Sequence, residues 1–338
     1  MKRQSKMLSS KKRITIIGIA FLMFCGISIL CLFIGTVEFS FAEFIASVNG
    51  SDTEGYLPQI INNIRIPRIL TGILVGMNLG VSGVLLQGVL RNPMASPNII
   101  GVNAGAGLMA VILMTVLPSQ LLLLPIAAFV GALGASLLIY AIAMPKSGRA
   151  STVHIVLAGV AISAFLGSIT SGIMMFNSDV LDVTYSWMLG SLSGRSWSAV
   201  TSVLPYSIIG LAAATFLAPK VNLFSLGDEI ASSVGLKPGL YRIIIIVVSS
   251  VLAGSAVSAA GAIGFVGLVA PHTARLVIGG DHKYLIPLSA IFGATLLVVS
   301  DTLARTIFRP VELSVGIVTG VIGAPFFLLL LHNNKNEL

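Results

Sequence analysis

The sequence contains few charged residues. Asp, Glu, Lys and Arg together make up only 9% of its 338 residues, whereas hydrophobic residues make up 56% and the mean hydropathy is +1.00. A soluble domain carries about 25% charged residues, so the composition predicts a membrane protein. The net charge of +8 is dispersed between apolar runs. This dispersal favours a role in membrane topology over nucleic-acid binding.

Residues that carry chemistry are also scarce. Cys25 and Cys31 lie in one apolar segment without a CxxC spacing, which indicates ordinary packing. The four histidines are scattered, with no i,i+4 pair typical of a metal site: His154, His272, His282 and His332. The sequence has no GxxxxGK[ST], HExxH or GxSxG pattern. It therefore predicts a chain that is not an enzyme and binds no metal or cofactor of its own.

Long apolar runs dominate the chain, and a membrane-spanning helix needs about 20 such residues. Ten candidate spans lie at 14–36, 64–90, 98–117, 121–144, 152–176, 199–218, 242–260, 262–279, 284–304 and 313–332. The short AAGAIG stretch around Gly261 separates two of them only weakly. We expect a basic N-terminus (1–13), one transmembrane domain (14–332) and a short tail (333–338). A retained first helix is favoured over a signal peptide because its apolar run is too long.

The basic residues predict the orientation. With ten spans and the N-terminus inside, all but five of the 20 Lys and Arg residues fall on the inner side. The exceptions are Arg65, Arg68, Arg195, Arg305 and Arg309. This bias predicts cytoplasmic N- and C-termini.

Small residues recur at four-residue spacing in two spans. Gly72, Gly76 and Gly80 follow one another in the second span, and Gly316 and Gly320 repeat the pattern in the last. Such spacing lets helix backbones approach closely. Packing within the chain and a pore-lining or subunit-contact role both remain open.

Arginines mark the predicted outer face. Arg65 and Arg68 enter the second span, and Arg305 lies between the last two. A guanidinium near lipid needs water, a headgroup or a carboxylate. Pairing with Asp301 and Glu312 would satisfy it, and a docking surface for an acidic partner is the alternative.

An inner loop reads GDEIASSVGLKPGL over 227–240. Asp228 and Glu229 suit the first turn of a short helix, where carboxylates oppose the positive end of the helix dipole. Gly235 and Gly239 would end or bend that helix. It is either a connector or a rigid element on which a partner can push.

Four segments together resemble a known family. RIPRILTGILVGMNLGVSGVLLQGVLRNPMASPNIIGVNAGAG (65–107), WMLGSL (187–192) with Trp197, FVGLVAPHTARLVIGGDHK (265–283), and ELSVG (312–316) followed by GAPFF (323–327) occur in this order. They are similar to the signatures of FecCD-type permeases of ABC importers for iron–siderophores, haem and vitamin B12. Ser314 and Lys283 depart from the usual Pro and Arg.

The resemblance implies an all-α type II importer permease of about ten helices in a bacterial cytoplasmic membrane. It implies a second permease subunit, identical or related, two cytoplasmic ATPases that use ATP and Mg, and an extracytoplasmic substrate-binding (lipo)protein. A ferric siderophore or related iron chelate is the implied substrate, with haem or cobalamin as alternatives. An ion-gradient-driven transporter is the rival class, but the centres of the spans are essentially uncharged.

The resemblance also implies roles for particular residues. Arg65, Arg68 and Arg305 would pair with glutamates of the binding protein. A loop at about 219–241, with Asp228, Glu229, Ala231 and Gly235, would contact the ATPase. The expected inner structural and partner-facing element comprises Pro271, His272, Arg275, Asp281 and His282. The fifth span would line the pathway with Ser163, Gly167, Thr170, Ser171 and Met174, although these residues also suit helix packing.

Overall fold

The structure, a computed structural model, describes residues 9–35, 43, 56–143, 152–177 and 181–333. These residues form helices and loops, with no strand among them. The segment before Ser9 and the tail after Asn333 lie outside this part of the chain, as do Lys146 and Arg149 of the predicted topology.

The helices follow one another along the chain. The first six are α1 (Ser10–Phe33), α2 (Tyr56–Ile60), α3 (Ile66–Val89), α4 (Val102–Val116), α5 (Leu124–Ala143) and α6 (Thr152–Phe176). The others are α7 (Leu181–Met188), α8 (Trp197–Ser225), α9 (Asp228–Ser233), α10 (Pro238–Ala260), α11 (Val266–Ile278), α12 (His282–Ala304) and α13 (Val315–Asn333). A π-helical turn, Ile61–Arg65, joins α2 to α3, and 3₁₀ turns at Pro97–Ile100 and Pro118–Leu123 precede α4 and α5.

Ten apolar helices among the described residues confirm the predicted all-helical membrane fold. Seven are long and apolar enough to cross a membrane, and the apolar parts of α4, α11 and α13 are shorter. The predicted full span at 262–279 is wrong in length. Its helix, α11, has 13 residues, which extend about 20 Å against a hydrocarbon core of about 30 Å.

Helix α3 lies at the centre of the bundle, against α8, α10, α11 and α12. Its glycines make this position possible. A Cβ on Gly76 would overlap the backbone of Gly293 in α12, and one on Gly83 would overlap the carbonyl of Gly267 in α11. The packing interpretation therefore holds for these contacts. Gly320, in contrast, faces open space.

Polar side chains join α3 to its neighbours inside the apolar bundle. The amide of Asn78 donates to the hydroxyls of Ser207 (2.8 Å) and Ser255 (3.1 Å). One turn further on, the hydroxyls of Ser82 and Ser249 lie 2.6 Å apart. Such bonds hold helices together where lipid gives no hydrophobic driving force.

The weak break predicted near Gly261 is a non-helical backbone segment between α10 and α11. Gly261 has φ +73° and Phe265 has φ +65°, both in the left-handed region. The loop after α7 packs on this break, where Ser191 N–H donates to the carbonyl of Ala260 (2.8 Å). Irregular backbone within a membrane is tolerated where protein covers it, and Gly261 and Ile263 of this segment are buried.

The predicted inner loop at 219–241 is shorter than expected. Helix α8 continues through Pro219 to Ser225, and α10 begins at Pro238. Proline removes one backbone hydrogen bond, but Val221 and Phe224 beyond it are fully buried in the core. Their packing stabilises the last turns of α8, so the connection between α8 and α10 comprises only residues 226–237.

Candidate functional site

Two ends of the bundle carry most of the described charges. The arginine end contains Arg65, Arg68 and Arg305, and the α9 end contains α9 and the start of α12. At the arginine end, Arg68 makes two bonds of 2.9 Å to the carboxylate of Asp301. It also donates to both carboxylate oxygens of Glu312 (2.9 and 3.2 Å). One guanidinium therefore ties α3 to α12 and to the segment before α13.

The other two arginines hold the end of α1. Arg65 donates to the carbonyls of Leu32 (2.7 Å) and Phe33 (3.2 Å), and Arg305 donates to that of Cys31 (2.6 Å). The last carbonyls of a helix have no partner within the helix and carry its negative dipole end. These two cations therefore cap α1.

The three predicted docking arginines are only 4–5% exposed. The alternative of internal pairing with Asp301 and Glu312 is correct for Arg68, while contact with a partner stays a prediction. Burial alone would raise the pKa of Glu312. The charge and hydrogen bonds of Arg68, together with Ser193 and Arg305, instead hold that pKa below its ordinary value.

At the opposite end, an ion pair positions α9. The guanidinium of Arg242 in α10 donates to both carboxylate oxygens of Asp228, each at 3.0 Å. The same guanidinium lies 5.4 Å from the ring centroid of Phe224 at the end of α8. Asp228 therefore fixes α9 to the bundle, whereas Glu229 next to it is exposed.

An apolar stripe lies on the solvent side of this loop. Leu226, Ile230 and Val234 follow at four-residue spacing and are 57%, 51% and 61% exposed. Ala231, predicted to contact a partner, is instead fully buried against the bundle. Exposed apolar residues beside water typify an interaction surface.

Gly235 terminates α9 as predicted. Its φ is +85°, and its N–H donates to the carbonyl of Ser232 (3.0 Å), while Leu236 N–H donates to that of Ala231 (3.0 Å). This is the usual glycine C-cap, which other residues adopt only with strain. Nothing lies within 4 Å of a Cβ built there, so the backbone angle is the constraint.

The start of α12 brings distant residues together. Asp281 caps the helix through Lys283 N–H (3.1 Å), pairs with Arg13 of α1 (3.3 Å) and accepts from the amide of Asn222 (2.9 Å). Burial alone would raise the pKa of Asp281, but these hydrogen bonds and the Arg13 charge hold it below its ordinary value. The ring Nδ1 of His282 in turn lies 2.6 Å from the side-chain amide oxygen of Asn222.

The rest of the predicted inner element lies on α11. Pro271 is buried inside that helix, and His272 meets the ring of Phe326 edge-on with centroids 6.3 Å apart. Arg275 is partly buried in the last turn. All five predicted residues therefore lie at the α9 end.

The predicted lining of the fifth span does not form one open face. Thr170 is buried and bonds its own helix, and Ser163 lies against the start of α4 near Gly101. Ser171 is exposed, and Gly167 and Met174 are half-buried. A lining role stays a prediction for these residues.

The described residues contain no group of three or more His, Cys, Asp or Glu that could hold a metal ion. The site also includes residues that sequence reasoning missed. In the sequence, Arg242 served only as one of the basic residues that predict the membrane orientation. Its position 14 residues after Asp228 was a weak signal that the two side chains pair. Asn222 gave no signal. Gln87, which lines a cavity together with Asn222, lies within the segment 65–107 that resembles the family signature, but no role was predicted for it.

Known proteins match this chain along most of its length. A sequence model of the FecCD transport family matches residues 9–333. The Fe(3+)-citrate import system permease protein YfmD of Bacillus subtilis is 44% identical over 82% of each chain. The cobalamin import system permease protein BtuC of Halobacterium salinarum is 43% identical over 82% of this chain and 74% of its own. A solved chain from an inward-facing ABC transporter, assigned to the metal-chelate type, superimposes with a TM-score of 0.84 at 27% identity, covering 94% of this chain and 99% of its own.

Proposed function

The chain belongs to the FecCD transport family, and on that premise we propose that it is the permease subunit of an ABC importer for a ferric siderophore or related iron chelate. Permease subunits of this family are not themselves enzymes. The observation that carries the proposal is the structural match over 94% of the chain to an ABC transporter of metal-chelate type. The sequence lacks a P-loop, so ATP and Mg would be used by a separate subunit.

We infer that the α9 end faces the cytoplasm. Lys11, Lys12 and Arg13 begin α1 there, and the distribution of basic residues in the sequence favours that orientation. Both chain termini would then be cytoplasmic in a bacterial cell membrane. A complete importer would contain two permease subunits, two ATPases and an extracytoplasmic binding protein.

The proposed ATPase contact is the connection 226–237. The apolar stripe of Leu226, Ile230 and Val234 offers surface for burial, and the Arg242–Asp228 pair links it rigidly to α10. Movement of the ATPase would thus reach α10 and, through its packing, α3. Because Arg242 bonds both carboxylate oxygens of Asp228, a displacement of α9 would be transmitted directly to α10.

Three variants and one control test this contact. Ile230→Asp should weaken ATPase association because it charges the stripe, while the control Ser232→Asp adds the same charge at an exposed position on the opposite face of α9. Arg242→Gln and Gly235→Leu should leave a complex that hydrolyses ATP but transports poorly. Equal ATPase retention by Ile230→Asp and Ser232→Asp would refute the proposed surface.

We also propose that the binding protein docks at the arginine end. Since Arg68 is engaged by Asp301 and Glu312, direct pairing with a partner would require this cluster to open. Arg65→Glu and Arg68→Glu should then weaken docking, and the comparison is made on variants that remain folded and still bind the ATPase. Unchanged docking by folded variants would show that these arginines stabilise the fold at this end but do not contact the binding protein.

The substrate class rests on the relatives. Permeases named for iron citrate and for cobalamin are 44% and 43% identical to this chain, so overall identity does not separate the two. Uptake by the reconstituted importer should be measured with ferric citrate, haem and cobalamin side by side. The iron-chelate proposal predicts uptake of the ferric complex, and exclusive uptake of haem or cobalamin would replace it with the alternative.

A further inference from the structure

A cavity of about 800 Å³ opens at the α9 end beside the proposed ATPase contact. It lies among the last turns of α3, α8 and α11 and the start of α12, where Gln87, Arg91, Arg275, Asp281 and His282 contribute to its lining. Its volume is in the range of small-molecule sites. The transport mechanism proposed above uses none of these side chains to move substrate.

Two of the lining side chains are buried without the hydrogen bonds they require. Gln87 is 3% exposed, and neither its amide nitrogen nor its amide oxygen has a partner within the described part of the chain. His282 is also 3% exposed, and its Nε2 lacks a partner there. Leaving a buried donor or acceptor without a partner costs its full desolvation penalty. The unmet groups therefore point to a bound polar molecule.

The hydrogen-bond network assigns the proton of His282. Asn222 donates its amide nitrogen to Asp281, so its amide oxygen is the group that meets the ring. Nδ1 must then carry the proton, and Nε2 presents a lone pair in the neutral ring. The side chains lining the cavity thus hold two acceptors, His282 Nε2 and the Gln87 oxygen, and one donor, the Gln87 nitrogen, that have no partner among the described residues.

The charges around the cavity are mainly positive. Arg91 and Arg275 line it, and the described residues give neither of them an ion pair. Asp281 also contributes to the wall, but Arg13 balances its charge at 3.3 Å. The left-handed φ of Arg91, +49°, belongs to the C-terminal cap of α3, where Arg91 N–H donates to the carbonyl of Gly88 (3.3 Å) and Asn92 N–H to that of Gln87 (3.1 Å).

We propose that this cavity binds a phosphate-bearing anion. Its negative oxygens would accept from Arg91, Arg275 and the Gln87 nitrogen, since guanidinium groups match phosphate geometry. A hydroxyl of the ligand, on phosphorus or on a headgroup, would donate to His282 Nε2. The same chemistry is offered by free phosphate compounds and by anionic lipid headgroups, which basic pockets between transmembrane helices bind.

Two measurements on the delipidated full chain in neutral detergent test the site. Inorganic phosphate is titrated against chloride at matched ionic strength, and the unfolding temperature is recorded. Native mass spectrometry then compares retention of phosphatidylglycerol with that of phosphatidylcholine. We expect saturable stabilisation by phosphate, selective retention of phosphatidylglycerol, or both, because binding to the folded state alone stabilises it.

Variants localise the effect. Arg275→Gln should weaken binding at least tenfold, and Gln87→Leu should do so while removing only neutral groups. Lys283→Gln is the matched control, because it removes a positive charge at the same end from a side chain that does not line the cavity. Phosphate binding alone would identify a soluble ligand, and phosphatidylglycerol binding alone a lipid.

Two results would overturn the proposal. The first is a wild-type chain that shows neither phosphate stabilisation nor lipid selectivity, as expected if an acidic segment of the ATPase fills the cavity instead. The second is binding that Arg275→Gln and Gln87→Leu leave unchanged. If Arg275→Gln fails to fold, Gln87→Leu decides alone.

Discussion

Replacing Arg68 with alanine should destabilise the protein more than replacing any other residue of the arginine cluster. This guanidinium makes four hydrogen bonds of 2.9–3.2 Å to Asp301 and Glu312. The side chains of Arg68 and Asp301 are 7% and 4% exposed. Removing one partner of a buried pair leaves the other charge uncompensated and costs about 3–5 kcal/mol. Glu312 is more exposed, so its replacement should cost about 1 kcal/mol or less.

A double-mutant cycle isolates the ion pair. Arg68→Ala and Asp301→Ala are measured alone and combined, as free energies of unfolding in mixed detergent micelles. Because the second replacement removes the charge that the first left unpaired, the coupling should reach about 2–3 kcal/mol. Arg309→Ala is the control, since it removes an exposed guanidinium at the same end; it should change stability by about 0.5 kcal/mol at most. Additive single-mutant losses, or an Arg68→Ala loss equal to that of the control, would refute the reasoning.

Three further predictions concern packing, titration and the buried polar network. Gly83→Ala should lower the free energy of unfolding by about 1–3 kcal/mol, because the added methyl group would overlap the carbonyl of Gly267. Gly107→Ala is the control: its methyl group meets nothing within 4 Å, so the free energy of unfolding should not change. The pKa of Glu312 is lowered in the folded state. The ionised carboxylate therefore stabilises the fold fully above pH 4.5, the ordinary pKa, and this stabilisation is lost as the pH falls through the lower pKa of the folded state. The melting-temperature difference between wild type and Glu312→Gln should therefore narrow below about pH 4.5, and a constant difference would contradict the assignment. Asn78→Ala should cost about 1–2 kcal/mol in unfolding because two interhelical bonds are lost, and an unchanged stability would show that they contribute nothing.

Much of the fold follows from apolar run length alone. The ten helices appear in the predicted order because each hydrophobic run must satisfy its own backbone in lipid. Helix ends were less predictable where tertiary contacts decide them. Burial of Val221 and Phe224 extends α8 past Pro219, and the left-handed backbone of Phe265 delays the start of α11. Neither effect leaves a local signal in the sequence.

In the candidate sites, too, some contacts could be predicted from the sequence and others depend on tertiary structure. The carboxylates available to Arg68 could be named from the sequence because Asp301 and Glu312 lie near the predicted outer face. The capping of α1 by Arg65 and Arg305 could not, because it depends on backbone carbonyls about 30 and 270 positions away. The orientation of Ala231 toward the bundle likewise depends on how α9 sits against α8 and α10.

The central claim is that this chain forms a path whose opening and closing are driven by a separate ATPase. The most direct measurement is uptake of ferric citrate into vesicles that contain the permease, its binding protein and the ATPase subunit. Uptake should require both the ATPase and ATP, and it should persist when an ionophore collapses ion gradients. Uptake that continues without the ATPase and stops with the ionophore would contradict the claim.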